Sequence, residues 1–362
     1  MIGYIIFLFF VILIYFSRRI SSKYLLIVLV LFSAIRFDVG WDYNMYVSII
    51  RSACADYKVR ELGDFWFNYF KIANLTGDVW LPISILSVVT NLLIYYSLKL
   101  LFLKNEQLIK ISLLFYALYP DFYLSSFSTI RQWLAVALCF FVFCTYLKNK
   151  NTKSLFLLLF TVYLSSVYIH SSSIAFLGLI FLEIAYNSIR NLWVLLTGSV
   201  FVFFFIFYYV DNLVLAFFEE YQIYSDVDSK YGGKFIYIKA CIGAFLLWGY
   251  KFVHTKKSVA SFLCFVSVFA ISFSTLIILV IESTIFNRIV LYFMIPILIP
   301  IGQIIYRLKK KHIHINIIYV LFMSALFLLY LNHVKDTDIA ASKYVPYKTI
   351  WSEKNTYVQG LH

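Results

Sequence analysis

The chain has 362 residues, of which 62% are hydrophobic, 21% aromatic and only 14% charged, and its mean hydropathy is +0.85. Soluble domains carry about 45–50% apolar and about 25% charged residues, and this much apolar side chain cannot be packed at this length without leaving broad greasy surface. The surroundings must be lipid. That excludes soluble enzymes, nucleic-acid binders and disordered chains, and it turns the net charge of +13 into a question of where the charges sit.

Apolar runs of near-spanning length fall at about 2–17, 24–36, 79–101, 108–121, 129–147, 154–169, 171–187, 192–210, 235–250, 258–281, 289–306 and 313–331, about twelve in all. Every second gap is basic: Arg18-Arg19 with Lys23, Lys104 with Lys110, Lys148 and Lys150 with Lys153, Arg190, Lys251 with Lys256-Lys257, and Arg307 with Lys309-Lys310-Lys311. Cytoplasmic loops retain Lys and Arg, so these short clusters mark the inner side. Among the acids only Glu106 and Glu183 lie on or near it. Both termini are then expected on the outer side. Nothing basic precedes Ile2, and Arg18-Arg19 follows the first run, so that run reads as a retained helix rather than a cleaved signal peptide. The second span holds only about a dozen residues, too few to cross about 30 Å of hydrocarbon without local thinning or help from neighbours.

Three long outer segments remain, about 37–78, 211–234 and 332–362. The first mixes Trp41, Tyr43, Tyr46, Tyr57, Phe65, Trp66 and Tyr69 with charges and reads as amphipathic helix lying on the membrane surface. With no linker or repeat in sight, residues 1–362 read as a single multi-pass membrane domain. Four cysteines fall inside spans and Cys54 stands alone outside them, the pattern of small buried apolar residues and not of a disulfide framework or zinc site.

Charge beside a span end is costly and marks candidate function. Four such groups occur, all on the outer side. In Arg36-Phe37-Asp38-Val39-Gly40-Trp41-Asp42-Tyr43, with Tyr46 one turn on, Asp38 or Asp42 can take a proton from a sugar hydroxyl while Arg36 holds an anion. The same spacing equally suits a snorkelling arginine beside a solvated acidic turn. In Ser128-Thr129-Ile130-Arg131-Gln132, Ser128 or Thr129 is expected to cap the fifth span. A cation gains nothing from the positive end of a helix dipole, so Arg131 there points to an anion shared by both, and phosphate fits the guanidinium fork. His170, before Ser171-Ser172-Ser173, can bond a phosphate or sugar oxygen or shuttle a proton, or be an ordinary polar turn residue. Asn287-Arg288, with Tyr292 four residues on, offers a second arginine at an outer helix start.

Weaker signals point elsewhere. Asp226-Val-Asp228 and Asp336-Thr-Asp338 have the spacing of metal–nucleotide-sugar sites but read as solvated outer loops, and His312-Ile-His314 lacks further ligands. No metal or other cofactor is expected. With no Walker A or dinucleotide fingerprint, an ATP-driven pump is disfavoured.

At these four places the sequence resembles the EpsG family, a branch of the Wzy-type polysaccharide polymerases. The matching residues are Gly40-x-Asp42-Tyr43-x-x-Tyr46, Arg131-Gln132-x-x-Ala135, His170-Ser171 and Arg288-x-x-x-Tyr292-Phe293. Trp41 stands where the family more often has a small residue. The resemblance implies a polymerase for O-antigen or a similar surface polysaccharide at the outer face of the cytoplasmic (inner) membrane. Such an enzyme moves a glycan chain from undecaprenyl diphosphate onto the non-reducing end of a lipid-linked repeat unit. Its implied partners are the undecaprenyl-diphosphate-linked oligosaccharide, membrane lipid and a chain-length regulator protein, with no nucleic acid. By looser analogy the fold is an all-α integral membrane protein of about twelve transmembrane helices, a GT-C-like bundle with outer-face amphipathic segments.

On that reading Arg131, Arg288, Arg36 and Gln132 bind the diphosphate. Asp42 is the first-choice base and Asp38 the second. His170 orients phosphate or assists proton transfer, and Trp41, Tyr43, Tyr46 and Tyr292 face sugars. Rival readings are a flippase or transporter of lipid-linked oligosaccharide, an outer-face O-antigen ligase, and a scaffold for glycan machinery. A flippase is disfavoured because the spans carry so little intramembrane charge.

Overall fold

The computed structural model describes residues 1–57, 63–103, 105–189, 194, 196–201, 235–253, 258–280, 284–312, 314–335 and 344–351. These residues are helical almost throughout, with one isolated antiparallel bridge between Arg36 and Thr349. Among them six helices are long and apolar enough to cross a membrane: Trp80–Leu101, Ile130–Asn149, Thr152–Ile169, Ser171–Ser188, Ile289–Lys311 and His314–Lys335. Ile2–Phe16, Ser22–Ala34 and Val259–Thr275 are shorter apolar helices. Most of the apolar run at 192–210 and all of the outer segment 211–234 lie outside the described residues, as do Asp226, Asp228, Asp336 and Asp338.

The chain divides into two compact units. The first comprises Met1–Ser171 and Leu308–His362. It holds α1 (Ile2–Phe16), α2 (Ser22–Ala34), α3 (Tyr43–Cys54), α4 (Asp64–Phe70), α5 (Trp80–Leu101), α6 (Glu106–Leu118), the single-turn α7 (Ser125–Ser128), α8 (Ile130–Asn149) and α9 (Thr152–Leu164). Here α5 packs against both α2 and α8. The α2–α5 contact is lined by small and polar residues that let two backbones approach closely. Asn91 Nδ2 donates to Ser33 Oγ at 3.1 Å and the Ser84 hydroxyl to the Ala34 carbonyl.

The lysine-rich end of this unit is built from capped turns. Asn105 caps α6 by accepting from Leu108 N, and Asn151 and Ser154 form a reciprocal capping box at the start of α9. Lys150 closes α8 in the left-handed region, φ 47°. Glu106 accepts from Ser22 N at 2.6 Å and Lys110 Nζ donates to the Ser17 carbonyl at 2.7 Å, so the α1–α2 turn is pinned to α6.

At the opposite end the N-terminal turn of α1 meets the exit of α2 and the segment 344–351. A Cβ at Gly3 would lie 2.8 Å from the Tyr347 ring, and Tyr347 stacks on Phe32 with centroids 3.9 Å apart. The beginning of the chain and residue 347 therefore share one end of this unit.

The segment 37–78 does form helices, and much of its apolar surface is covered by protein. Tyr43, Tyr46 and Ile50 of α3 and Trp66 and Phe70 of α4 make one buried cluster with Ile83 and Leu86 of α5 and Ile130 of α8. Protein covers this part of the face that the sequence suggests would rest on the membrane surface, while Tyr57, Phe65 and Leu75 stay exposed.

The second unit, Ser172–Arg307, contains α10 (Leu177–Ser188), α11 (Phe235–Val253), α12 (Val259–Val280), α13 (Thr284–Met294) and most of α14 (Leu298–Lys311). A 3-10 turn, Ile295–Ile297, carries Pro296 between α13 and α14, where a missing N–H costs least. The α11 and α12 helices pack together, and Gly249 lets α11 approach Ile304, whose Cδ1 would stand 2.5 Å from a Cβ. The last long helix, α15 (His314–Lys335), belongs to the first unit and touches α6, with Tyr319 Oη donating to the Ile111 carbonyl at 3.0 Å.

Candidate functional site

The turn that follows α2 is shaped by residues at both of its ends. Phe37 N donates to the Lys348 carbonyl and Ile350 N to the Ile35 carbonyl, each at 3.0 Å, so the returning segment holds the chain as it leaves α2. Asp38 takes φ 51° and Gly40 φ 111°. Gly40 is required twice over, since a Cβ there would stand 2.4 Å from the Phe127 carbonyl oxygen in a backbone region that side-chain-bearing residues avoid. Trp41 N then donates to Ser128 Oγ at 2.9 Å, and Tyr43 N to the Gly40 carbonyl at 3.3 Å as α3 begins. Asp42 occupies the N-cap position of α3.

Those contacts bring two motifs, 88 residues apart in sequence from Gly40 to Ser128, into one wall. Ser128 was expected to cap the next helix, yet its hydroxyl receives the Trp41 amide instead. Thr129 occupies the N-cap position of α8 without a side-chain capping bond. Tyr46 reaches the helix start in their place, its hydroxyl 3.5 Å from Arg131 N.

Arg131 sits in the first turn of α8, half-buried. Its guanidinium carbon lies 5.7 Å from the Trp66 ring centre and 6.0 Å from that of Tyr46, within cation–π range. Its Nε has no hydrogen-bond partner among the described residues. Burial raises the Tyr46 pKa, the Arg131 charge opposes that rise, and the Asp42 carboxylate adds to it. Tyr46 thus feels both the guanidinium and the carboxylate. Gln132 beside Arg131 is 1% exposed.

The third motif joins through Trp66, whose Nε1 donates to the Ile169 carbonyl at 3.1 Å. Helix α9 runs on into a π turn, Ser165–Ile169, and ends at His170, whose amide donates to the Ser165 carbonyl at 2.8 Å. Such turns are commonly found at functional sites. His170 is half-buried and follows the residue on which Trp66 is anchored. The sequence drew attention to Trp66 only as one aromatic among many. It is the residue that couples Arg131 to the His170 turn.

Arg36 behaves differently from its expected role. It is 1% exposed, with Nη1 donating to the Ser33 carbonyl at 2.6 Å and Ser87 Oγ at 2.8 Å, and its guanidinium 4.5 Å from the Phe127 ring centre. Nε and Nη2 have no partner among the described residues. Burial pulls its pKa below the ordinary guanidinium value, and the hydroxyls of Tyr43 and Tyr347 work against that. In this arrangement Arg36 is a post beneath the turn, covered from outside. Asp38, the second-choice base, is paired with Lys348 at 3.3 Å.

The stacking roles expected of three tyrosines do not fit their surroundings. Tyr43, Tyr46 and Tyr292 are at most 3% exposed. Tyr43 packs edge-on to Phe37, Tyr46 to Phe70, and Tyr292 to Phe176. Enclosed rings offer a sugar no open face; of the four aromatics named, Trp41 is half-buried. Tyr292 lies in the second unit, its hydroxyl 3.1 Å from Ser172 Oγ. Arg288 is on α13, and its side chain lies outside the described residues, as does that of Asn287. Among the described residues no three His, Cys, Asp or Glu side chains gather to hold a metal ion.

The family model described as the EpsG family matches residues 23–349. No curated protein and no solved structure matches the chain.

Proposed function

The chain belongs to the EpsG family, whose members are Wzy-type polymerase-like, and on that premise we propose that it is a membrane glycosyltransferase that lengthens a surface polysaccharide. The donor is a glycan on undecaprenyl diphosphate and the acceptor the non-reducing sugar of a lipid-linked repeat unit, met at the outer face of the cytoplasmic membrane. The protein crosses that membrane about twelve times, as a GT-C-like bundle with both termini outside. A chain-length regulator is a further partner.

The observation that carries this reading is Arg131. It is a guanidinium within cation–π range of two aromatic rings at an electropositive helix start, and its Nε has no partner among the described residues. An acceptor hydroxyl attacks the anomeric carbon, the bond from that carbon to the diphosphate oxygen breaks, and the electron pair leaves with the diphosphate. Negative charge on that oxygen grows along the reaction, so a fixed cation aimed at it stabilises the transition state more than the ground state. Asp42, two residues from the Gly40–Phe127 contact, takes the hydroxyl proton. His170 orients a phosphate oxygen. Arg36 and Tyr46 serve by holding the turn and Arg131 in place rather than by touching sugar.

Deleting the gene and resolving surface glycan on a gel tests the function. Loss of the ladder with single repeats still attached to the lipid core supports a polymerase, whereas loss of every repeat points to a flippase or ligase. Arg131→Ala, returned to the deletion strain, should abolish the ladder, since removing one such donor costs about 10²–10³ in rate. A normal ladder from Arg131→Ala would refute the assignment.

A further inference from the structure

The segment 344–351 has no role in the chemistry above, yet it is fastened to the candidate site at five points. Besides the two backbone bonds that join it to Ile35 and Phe37, Lys348 pairs with Asp38, and Tyr347 stacks on Phe32 and donates its hydroxyl to the Phe32 carbonyl. The fifth point is Tyr344. Its side chain is 2% exposed, and its hydroxyl lies 2.6 Å from Ser128 Oγ, the same oxygen that receives the Trp41 amide at 2.9 Å. The match to the EpsG family runs to residue 349, so Tyr344 and Lys348 fall inside the shared part of the chain.

A serine hydroxyl has one proton and two lone pairs. Ser128 spends one lone pair on Trp41 and shares its other bond with the phenol, which fixes its rotamer. Left free, the hydroxyl would have another use close by, since Thr129 leaves the start of α8 without a side-chain cap. Burial holds the phenol protonated; the Ser128 hydrogen bond opposes it most, the nearby Asp42 charge reinforces it, and Arg36 and Trp41 oppose it less. We infer that Tyr344 is a positioning residue for the proposed base: through Ser128 Oγ it locks the Trp41 amide, and so sets where the adjoining Asp42 carboxylate stands. This rests on the polymerase reading, and it predicts an effect on the chemical step rather than on donor binding.

Tyr344→Phe keeps the ring and removes only the hydroxyl. In polymerisation assays with purified protein and lipid-linked repeat units, kcat should fall about tenfold or more, because small misplacement of a reacting group is costly, while KM for the donor stays at the wild-type value. Ser128→Ala should do the same. The double variant should be no slower than the slower single one, since both changes break one chain of bonds. If Tyr344→Phe does not accumulate as folded protein, Ser128→Ala carries the same expectation. Wild-type kcat in either variant, a rise in KM alone, or losses that multiply in the double variant would overturn the inference while Arg131→Ala is inactive. Normal turnover by Arg131→Ala would instead bring down the polymerase reading, and this inference with it.

Discussion

Gly40→Ala is the smallest change that tests whether the turn before α3 is set by its contact with α7, the single turn ahead of α8. The added Cβ would lie 2.4 Å from the Phe127 carbonyl oxygen and 2.8 Å from its carbon. Ordinary contact begins near 3.4 Å, so the two backbones must separate by about 1 Å, and neither partner is a side chain that can swing aside. The φ of 111° adds about 1–3 kcal/mol of backbone strain for a residue with a side chain. Displacement of about 1 Å in a group that must meet a reacting atom costs about 10²-fold in rate, and Asp42 lies two residues along the displaced turn. Protein purified in detergent or nanodiscs should therefore show a lower unfolding temperature and a roughly hundredfold slower polymerisation of lipid-linked units. A variant that matched wild type in both would show that the turn is not held by this approach, and the placement of Asp42 would lose its basis.

Two other perturbations address the supports of the site. Trp66→Phe keeps an aromatic face for Arg131 but removes the bond to the Ile169 carbonyl, a loss of about 1 kcal/mol that should lower the unfolding temperature and weaken donor use; unchanged kinetics would mean that Trp66 does not couple Arg131 to the His170 turn. At the lysine-rich end, burial works against the Glu106 charge, but the bonds from Ser22 and Ser21 prevail and hold the carboxyl below its usual range. A depressed folded pKa gives stability that is present above the ordinary glutamate value of about 4.3 and is lost as pH falls through the folded value. Glu106 is exposed, so screening keeps the effect small. Glu106→Gln should flatten the acid limb of a stability–pH curve, and superimposable curves would refute the sign.

What the sequence reveals about this fold is mostly local. Apolar periodicity locates the helices, including the shortness of α2, because a span must be continuous along the chain. The alternating basic gaps foretell that the α1–α2 and α5–α6 turns share one end, and Ser22 bonded to Glu106 bears this out. Three of the four charged groups also meet in the first unit. Their chemistry at span ends was visible residue by residue, although their mutual contacts were not. What escapes notice are contacts between distant segments. Nothing near Tyr344 or Lys348 signals that they fasten to Ser128 and Asp38, hundreds of residues earlier. Ser128 has the composition of a helix cap, and only the folded chain shows the Trp41 amide claiming it. The enclosure of Tyr43 and Tyr46 is likewise set by α4, which supplies Trp66 and Phe70 from outside their own helix.

The brevity of α2 has a consequence for the substrate. Its 13 residues climb about 20 Å at 1.5 Å each, roughly two-thirds of a hydrocarbon slab. If this helix crosses the bilayer, as the proposed topology has it, the leaflet dimples toward Arg36 and the turn above it unless neighbouring helices make up the length. On the polymerase reading proposed above, a pyrophosphate tethered to a long prenyl chain would then slide sideways into the hollow at its own depth, without being hauled out of the bilayer.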